Sequence, residues 1–232
     1  MCQSPFPVWG HYDMASALGR AGKIDEAKSH IQKAEDTLGN NTMKLSETIF
    51  LATARGVLLQ ASEYQAACEC LDKSWQQTRR RGFFVEYNVR ALVWLIESIA
   101  GPNWFDAASP DAAGRLPRLC RLAAVMYWFF PNIQSPIQRV RGRALWVLGK
   151  HRKAVRYFER AVEKAAHLGA DYDRARSLLD LAAVRSEQSD ANRREAIKLL
   201  KETESVIPYA ERWLLADQYD EHCVAPPPRA VS

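Results

Sequence analysis

Apolar residues recur at intervals of three and four positions along most of the chain, which is the period of one face of an α-helix. Glycine, proline and short polar stretches interrupt this period, as turns between helices do. The pattern therefore predicts a succession of amphipathic helices. We expect them at residues 8–21, 24–37, 45–60, 64–81, 84–100, 116–130, 138–169 (two helices), 171–185, 193–206 and 209–221.

The clearest unit is the stretch 138–169, which is typical of two helices that pack closely against each other. Gly149 and Gly169 are expected to end these helices, because glycine readily takes the left-handed backbone conformation. Gly142 gives the first helix a small surface, and Phe158 belongs to the ridge of the second helix that this surface would receive. The unit is therefore predicted to be a helical hairpin.

The same spacing of small and large residues recurs in four helices, which begin at Ile24, Tyr64, His151 and Arg193. Each carries alanine three positions on, a large apolar residue seven positions on and a small residue ten positions on. The alanines stand 40, 87 and 42 residues apart, so a degenerate copy is expected within the longest interval. Small residues admit a neighbouring helix and large ones fill the groove between them. The predicted repeat-packing residues are Ala27, Ala34, Ala67, Gly142, Ala154, Phe158, Ala161 and Ala196.

The pattern that starts at Gly142, G-x-A-x-x-x-x-G-K-x-x-x-A-x-x-x-F-x-x-A, is followed from His167 by H-L-G-A-D-Y-D-R-A-R-S-L-L-D-L-A. This unit resembles a tetratricopeptide-type repeat (TPR). More narrowly, it is similar to the degenerate helical arrays at the C-termini of bacterial signal-transduction ATPases with numerous domains (STAND ATPases), which are joined to class III cyclases or Ser/Thr kinases. The resemblance implies a sensor or docking segment that governs a signalling ATPase, cyclase or kinase. Its motifs are structural, so it assigns no functional residue.

The fold class predicted from these patterns is all-α, a TPR-like α-α superhelical solenoid of about five helix pairs plus a C-terminal helix. The repeat domain is expected to span residues 1–222, and residues 223–232 form a Pro-rich tail that is expected to be disordered. Within the domain, Ser135 is predicted to be a helix N-cap and residues 101–115 the longest loop. Trp104 and Phe105 are expected to pack back from this loop onto neighbouring helices.

The charge distribution suggests a binding surface. The chain has a net charge of +5, yet residues 115–160 contain eleven lysines and arginines and only one acid. Several arginines fall on positions outside the apolar stripes and form the predicted partner-binding stripe: Arg139, Arg143, Arg152, Arg156 and Arg160. Such a stripe attracts an acidic protein or a nucleic-acid backbone. The alternative is a solvated face that nearby acids neutralise, namely Glu163, Asp171, Asp173 and Asp180, of which Asp180 is expected to face solvent.

Motifs for catalysis are absent from the sequence. The five histidines lie on separate segments without an H-E-x-x-H pattern, and the five cysteines have no zinc-ligand spacing. No G-x-S-x-G motif and no glycine-rich nucleotide loop occurs. We therefore expect no enzyme activity, no catalytic residue, no cofactor and no metal. The chain also lacks a long apolar run and a signal-peptide pattern, which predicts a cytoplasmic protein with no membrane partner.

Three functions remain compatible with the sequence. The first is a scaffold or regulatory module that docks an acidic protein partner or an adjoining signalling domain. The second is a sensor of a small ligand, with a groove lined by aromatic residues, although Trp128, Phe129, Phe130 and Trp146 are more typical of core packing. The third, a nucleic-acid-binding solenoid, is disfavoured because no DNA-reading helix or RNA-stacking motif accompanies the basic stripe.

Overall fold

The computed structural model describes residues 6–38, 51–57, 64–82, 84–102, 104–105, 110–218 and 220–225. Within these ranges the chain is all-α, and its only β-type contact is one parallel bridge between Ile207 and Val224. The helices are α1 (Phe6–Arg20), α2 (Ile24–Leu38), α3 (described over residues 51–57), α4 (Tyr64–Arg81), α5 (Glu86–Ala100), α6 (Pro110–Phe129), α7 (Gln134–Val147), α8 (His151–Leu168), α9 (Asp171–Val184) and α10 (Ser189–Glu202). Short 3-10 segments lie at Pro131–Ile133, Ser186–Gln188, Tyr209–Gln218 and Glu221–Cys223.

Consecutive helices pack against each other along the chain. α1 packs on α2, α4 on α5, α7 on α8, and α9 on α10. α7 occupies a central position, because it also contacts α5, α6 and α9. After α10 the chain returns to its beginning, where the Val206 amide donates to the Arg20 carbonyl at 2.8 Å. None of the helices described is both long enough and apolar enough to cross a membrane.

The predicted repeat-packing residues lie inside the protein. Ala27, Ala34, Ala67, Gly142, Ala154, Phe158, Ala161 and Ala196 are all buried. A Cβ atom added at Gly142 would lie 2.5 Å from Cε1 of Phe158, so the two helices of this hairpin approach too closely for any larger residue. Likewise, a Cβ atom added at Gly56 of α3 would lie 2.5 Å from Cδ2 of Leu71 in α4. Contact between a glycine of one helix and a large side chain of the next thus occurs in two places. That these helices form a TPR-like repeat stays a prediction.

Glycine ends the helices of the central hairpin as the sequence predicts. Gly149 and Gly169 have φ angles of +71° and +63°, in the left-handed region. The amide of Gly169 bonds to the Ala166 carbonyl, which closes the last turn of α8. The reversals before and after α8 therefore follow from residues that tolerate this backbone conformation.

Several predicted boundaries are wrong. α6 begins at Pro110, six residues before the predicted start, because proline suits the first helical turn and Pro117 is accommodated inside the helix. The predicted long loop is therefore shorter. Ser135 is not an N-cap but lies inside α7, where its hydroxyl donates to the Ala161 carbonyl at 2.9 Å. α10 begins at Ser189 and ends at Glu202, four residues earlier at each end than predicted.

The C-terminal part also differs from the prediction. Residues 209–218 form 3-10 turns rather than an α-helix, with a break at Ala216 (φ +47°, ψ −133°). Cys223, Val224 and Ala225, assigned to the disordered tail, are buried. They pair with Ile207, whose amide donates to the Cys223 carbonyl and whose carbonyl accepts from Ala225, both at 2.8 Å. The rest of the predicted tail lies outside the described residues.

Candidate functional site: an interior cavity over a buried ionic cluster

Two arginines of the predicted surface stripe are buried. Arg139 is 4% exposed and Arg143 is completely buried, so these two residues do not contribute to an exposed binding surface. Asp180, which we expected to face solvent, is also completely buried. The reason is long-range pairing: the two arginines of α7 meet acids from α5, α9 and the 3-10 segment Tyr209–Gln218.

Arg143 lies at the centre of this ionic cluster. Its Nε and Nη2 atoms donate to the two carboxylate oxygens of Asp180, each at 2.7 Å. Nη1 donates to Glu211 at 2.7 Å and to Glu97 at 3.3 Å, and Nη2 donates to Glu211 at 3.1 Å. All five guanidinium hydrogens thus have an acceptor, and the Trp104 ring lies 5.4 Å from the guanidinium carbon. A charge this deep is tolerable because it is fully paired.

Two further arginines complete the cluster. Arg139 donates to Glu97 at 2.7 Å, and Arg176 donates to Glu97 at 2.6 Å and to Glu211 at 2.7 Å. Tyr64, the first residue of α4, donates its hydroxyl to Glu211 at 2.9 Å. Three arginines face three carboxylates, so the cluster carries no net charge. It joins α4, α5, α7, α9 and the C-terminal 3-10 segment.

The two glutamates of the cluster, Glu97 and Glu211, are held in the ionised form. Burial alone would raise the pKa of Glu211, but Arg143 and Arg176 outweigh burial and the pKa lies below its ordinary value. The pKa of Glu97 is lowered for the same reason, through Arg139, Arg176 and Arg143. Burial, followed by the nearby Glu211 carboxylate, raises the pKa of Tyr64 well above its ordinary value, which keeps its hydroxyl as a donor.

The sequence contains a signal for this cluster that the prediction missed. Glu97 and Asp180 stand inside otherwise apolar helical runs, LVWLIESIA and SLLDLAAV. A single acid within a buried stripe requires a partner, because an unpaired carboxylate in a core is very costly. Arg139 and Arg143, four residues apart on one helix face, are spaced to supply that partner.

A partly open cavity of about 370 Å³ lies beside the ionic cluster. Its walls come from α1, α3, α5, α7 and α9 and from the returning segment 206–208. Arg139, Arg176 and Glu97 line it on the side of the cluster, and aromatic side chains line it elsewhere. The lining residues that carry the argument below are Tyr12, Asp13, Ser16, Trp94, Tyr172 and Asp173.

Several polar groups that line the cavity are unpaired. Among the described residues no ion pair or hydrogen bond engages the carboxylates of Asp13, which is exposed, and Asp173, which is half-buried. The Ser16 hydroxyl and the Nε atom of Arg176 are buried without a hydrogen-bond partner. Buried donors and acceptors of this kind are rare in native proteins, because each loses its bonds to water. The cavity therefore offers both a donor and acceptors that internal contacts leave free.

The α8 half of the predicted stripe is at the surface. Arg152, Arg156 and Arg160 are exposed, follow each other at four-residue spacing and have no ion pair among the described residues. Of the four acids expected to neutralise them, Asp180 is committed to the buried cluster, Asp171 and Asp173 lie in the first turn of α9, and Glu163 is exposed on α8 itself. The basic surface is thus shorter than predicted and lies on one helix.

Aromatic side chains divide between core and surface. Trp104 is buried as predicted, and Phe105 stacks on Trp146 with ring centroids 5.1 Å apart. In contrast, Trp128 and Phe129 are 79% and 71% exposed, so the expectation that they fill the core is wrong. They lie at the end of α6, where the helix gives way to the 3-10 turn Pro131–Ile133.

The described cysteines are single thiols. Cys68, Cys70, Cys120 and Cys223 form no disulfide with each other, and burial raises the pKa of Cys120 to about 11. Across the described ranges, no group of three His, Cys, Asp or Glu residues is arranged to hold a metal ion. Comparison with known proteins adds no further assignment, since no family model, no curated protein and no solved structure matches this chain.

Proposed function

We propose that this protein is a non-catalytic binding module of a regulatory system, and that its interior cavity holds a small polar ligand. The observation that carries the proposal is the cavity beside the ionic cluster, with unpaired polar groups on its walls. A volume of about 370 Å³ falls within the range of small-molecule sites. Odd-numbered helices line the cavity, which supports a solenoid of helix pairs whose first helices form the concave side.

The chemistry of the cavity favours a zwitterionic ligand. An anionic group would accept a hydrogen bond from Nε of Arg176, the buried donor that internal contacts leave free. A cationic amine would be attracted to the carboxylates of Asp13 and Asp173 and to the face of Tyr12. An amino acid or a dipeptide combines both groups at a suitable size.

A cavity-filling variant tests this proposal. Ser16→Trp, on the cavity side of α1, should occupy the space, whereas Ala17→Trp, on the exposed side of the same helix, should leave it open. We expect free amino acids or dipeptides, screened by thermal shift and then by calorimetry, to bind the wild type and Ala17→Trp equally. Ser16→Trp should lose at least tenfold in affinity. Equal binding by both variants would place the ligand elsewhere and refute the proposal.

Docking of an acidic protein partner is a second candidate function. The exposed and unpaired line Arg152, Arg156 and Arg160 supports it, because three like charges on one helix face attract an oppositely charged surface. Capture of a partner from native lysate should be lost when all three are changed to glutamate. It should persist when Lys198, an exposed cation of α10, is changed to glutamate. Capture that survives the triple change would exclude this surface.

A further inference from the structure

A second concave surface lies between α4 and α6, and it shares no lining residue with the interior cavity. This groove has a volume of about 630 Å³ and is lined chiefly by arginines: Arg79, Arg80, Arg115 and Arg118, together with Asp72, Trp75, Gln76, Gly114 and Leu119. We propose that the groove binds the di- or triphosphate group of a small molecule.

The charge of the groove is largely uncompensated. Arg115 donates to Asp72 at 2.8 Å, and the other oxygen of Asp72 accepts from Gln76 at 2.9 Å, so the one acid in the lining is already engaged. Arg79, Arg80 and Arg118 are exposed and have no ion pair among the described residues. Three free guanidinium groups from two helices therefore converge on one groove.

One residue of the groove lining has an unused hydrogen-bond donor. Trp75 is 2% exposed and lines the groove, and its indole Nε1 hydrogen has no acceptor. A buried N–H without an acceptor is destabilising. An oxygen of a bound ligand would supply the acceptor. This donor is independent of the arginines and points to the same kind of ligand, one rich in oxygen acceptors.

The geometry favours a polyphosphate group over a nucleic-acid strand. Guanidinium groups bind phosphate through paired hydrogen bonds, and several of them match the repeated charge of a di- or triphosphate. Binding of a single strand also needs aromatic faces on which bases can stack. The one aromatic residue in the groove, Trp75, is buried, and Trp128 and Phe129 are not part of the lining. The groove thus offers charged donors for phosphate and no exposed aromatic face on which bases could stack.

Gly114 allows the groove to be tested without touching an arginine. It lines the groove within α6, and a Cβ atom added there meets nothing within 4 Å. Gly114→Glu should place a carboxylate among the arginines, and Gly114→Gln is the matched neutral variant of nearly the same shape. Because α6 gains a better helix-forming residue in both variants, both should fold.

The experiment is calorimetric titration with pyrophosphate and tripolyphosphate, without divalent cations and at fixed ionic strength. We expect Gly114→Glu and the double variant Arg79→Gln/Arg118→Gln to bind at least about tenfold more weakly than the wild type, a difference of about 1.4 kcal/mol. Gly114→Gln and the surface variant Arg152→Gln should stay within about threefold. In the wild type, titration should also shift the Trp75 indole N–H signal in NMR spectra, identified by its loss in Trp75→Phe.

Three outcomes would overturn the proposal. The first is that neither pyrophosphate nor tripolyphosphate binds at about 1 mM. The second is that Gly114→Gln or Arg152→Gln weakens binding as much as Gly114→Glu does, which would indicate general attraction by a basic protein. The third is tighter binding of an oligothymidylate or a polyglutamate peptide than of tripolyphosphate, with the same loss in Gly114→Glu. That result would assign the groove to a polymer instead.

Discussion

Arg143 of α7 and Asp180 of α9 form a two-point ion pair, with Nε and Nη2 each 2.7 Å from a carboxylate oxygen and both side chains completely buried. Most ion pairs on protein surfaces contribute little to stability, because water competes for the charges. This pair is different, because removal of either partner would leave the other as a buried charge without its main counter-ion and without water. The predictions below follow from this cluster and from the close contacts between helices.

Loss of Arg143 should destabilise the protein strongly. Arg143→Met keeps the bulk of the side chain but leaves three acids facing two arginines. We expect a loss of about 3–5 kcal/mol in the free energy of unfolding, measured by urea denaturation. Arg152→Met on the exposed face of α8 should change it by less than about 0.5 kcal/mol. Similar values for the two variants would mean that the cluster does not stabilise the fold.

Stability should depend on Glu211 at acid pH. Its pKa in the folded protein is below the ordinary value of 4.5, so the folded state binds fewer protons than the unfolded state as the pH falls below about 4.5. The ionised Glu211 therefore stabilises the folded state fully above that pH, and this stabilisation is lost as the pH falls towards the pKa of Glu211 in the folded protein. Glu211→Gln should be less stable at pH 7 and should show a shallower loss between pH 5 and pH 3. Denaturation curves at four or five pH values measure both effects, and parallel curves would contradict the prediction.

The contact between His11 and His30 should be sensitive to pH. Their Nδ1 atoms lie 3.0 Å apart between α1 and α2, and partial burial, then His30 and Lys33, lower the pKa of His11. The unfolded chain therefore takes up protons near pH 6.5 before the folded chain does, and packing of α1 on α2 weakens as the pH falls below that value. NMR titration should give His11 a pKa below 6.5. His30→Ala should raise it, and an unchanged value would show that His30 has no part in the shift.

The close approach at Gly142 should not tolerate a methyl group. In Gly142→Ala the new Cβ would lie 2.5 Å from the Phe158 ring, and we expect a loss of about 1–3 kcal/mol in the free energy of unfolding. Gly114→Ala is the matched control, since a Cβ there meets nothing within 4 Å and helix propensity alone should stabilise by up to about 1 kcal/mol. Phe158→Leu should restore part of the loss in Gly142→Ala. A neutral Gly142→Ala would contradict the close contact.

Local rules account for much of the helical part of the fold. The predicted bounds of α4, residues 64–81, agree with the structure, and Gly149 and Gly169 end helices where the sequence places those ends. These features depend on residues within one turn of the helix, so neighbouring residues are sufficient to predict them. The small residues at matched offsets are buried for the same reason, since their spacing assigns them to one helix face.

The candidate sites required contacts that local patterns do not contain. An arginine beside an apolar stripe looks the same in sequence whether it is solvated, as Arg152 is, or paired deep in the protein, as Arg143 is. The partners of Arg143 lie 37 to 68 residues away along the chain. The groove between α4 and α6 was likewise missed, because its arginines lie on helices that do not follow each other in sequence.

The returning C-terminal segment has a consequence for how the protein can come apart. Arrays built only from neighbour contacts can lose a terminal unit while the remainder stays folded. Here Glu211 neutralises Arg143 of α7 and Arg176 of α9, so detachment of the C-terminal segment alone would leave an excess of buried positive charge. The C-terminal segment should therefore not unfold separately from the rest of the protein. Denaturation should show a single cooperative transition, whereas an array with only neighbour contacts would unfold in steps.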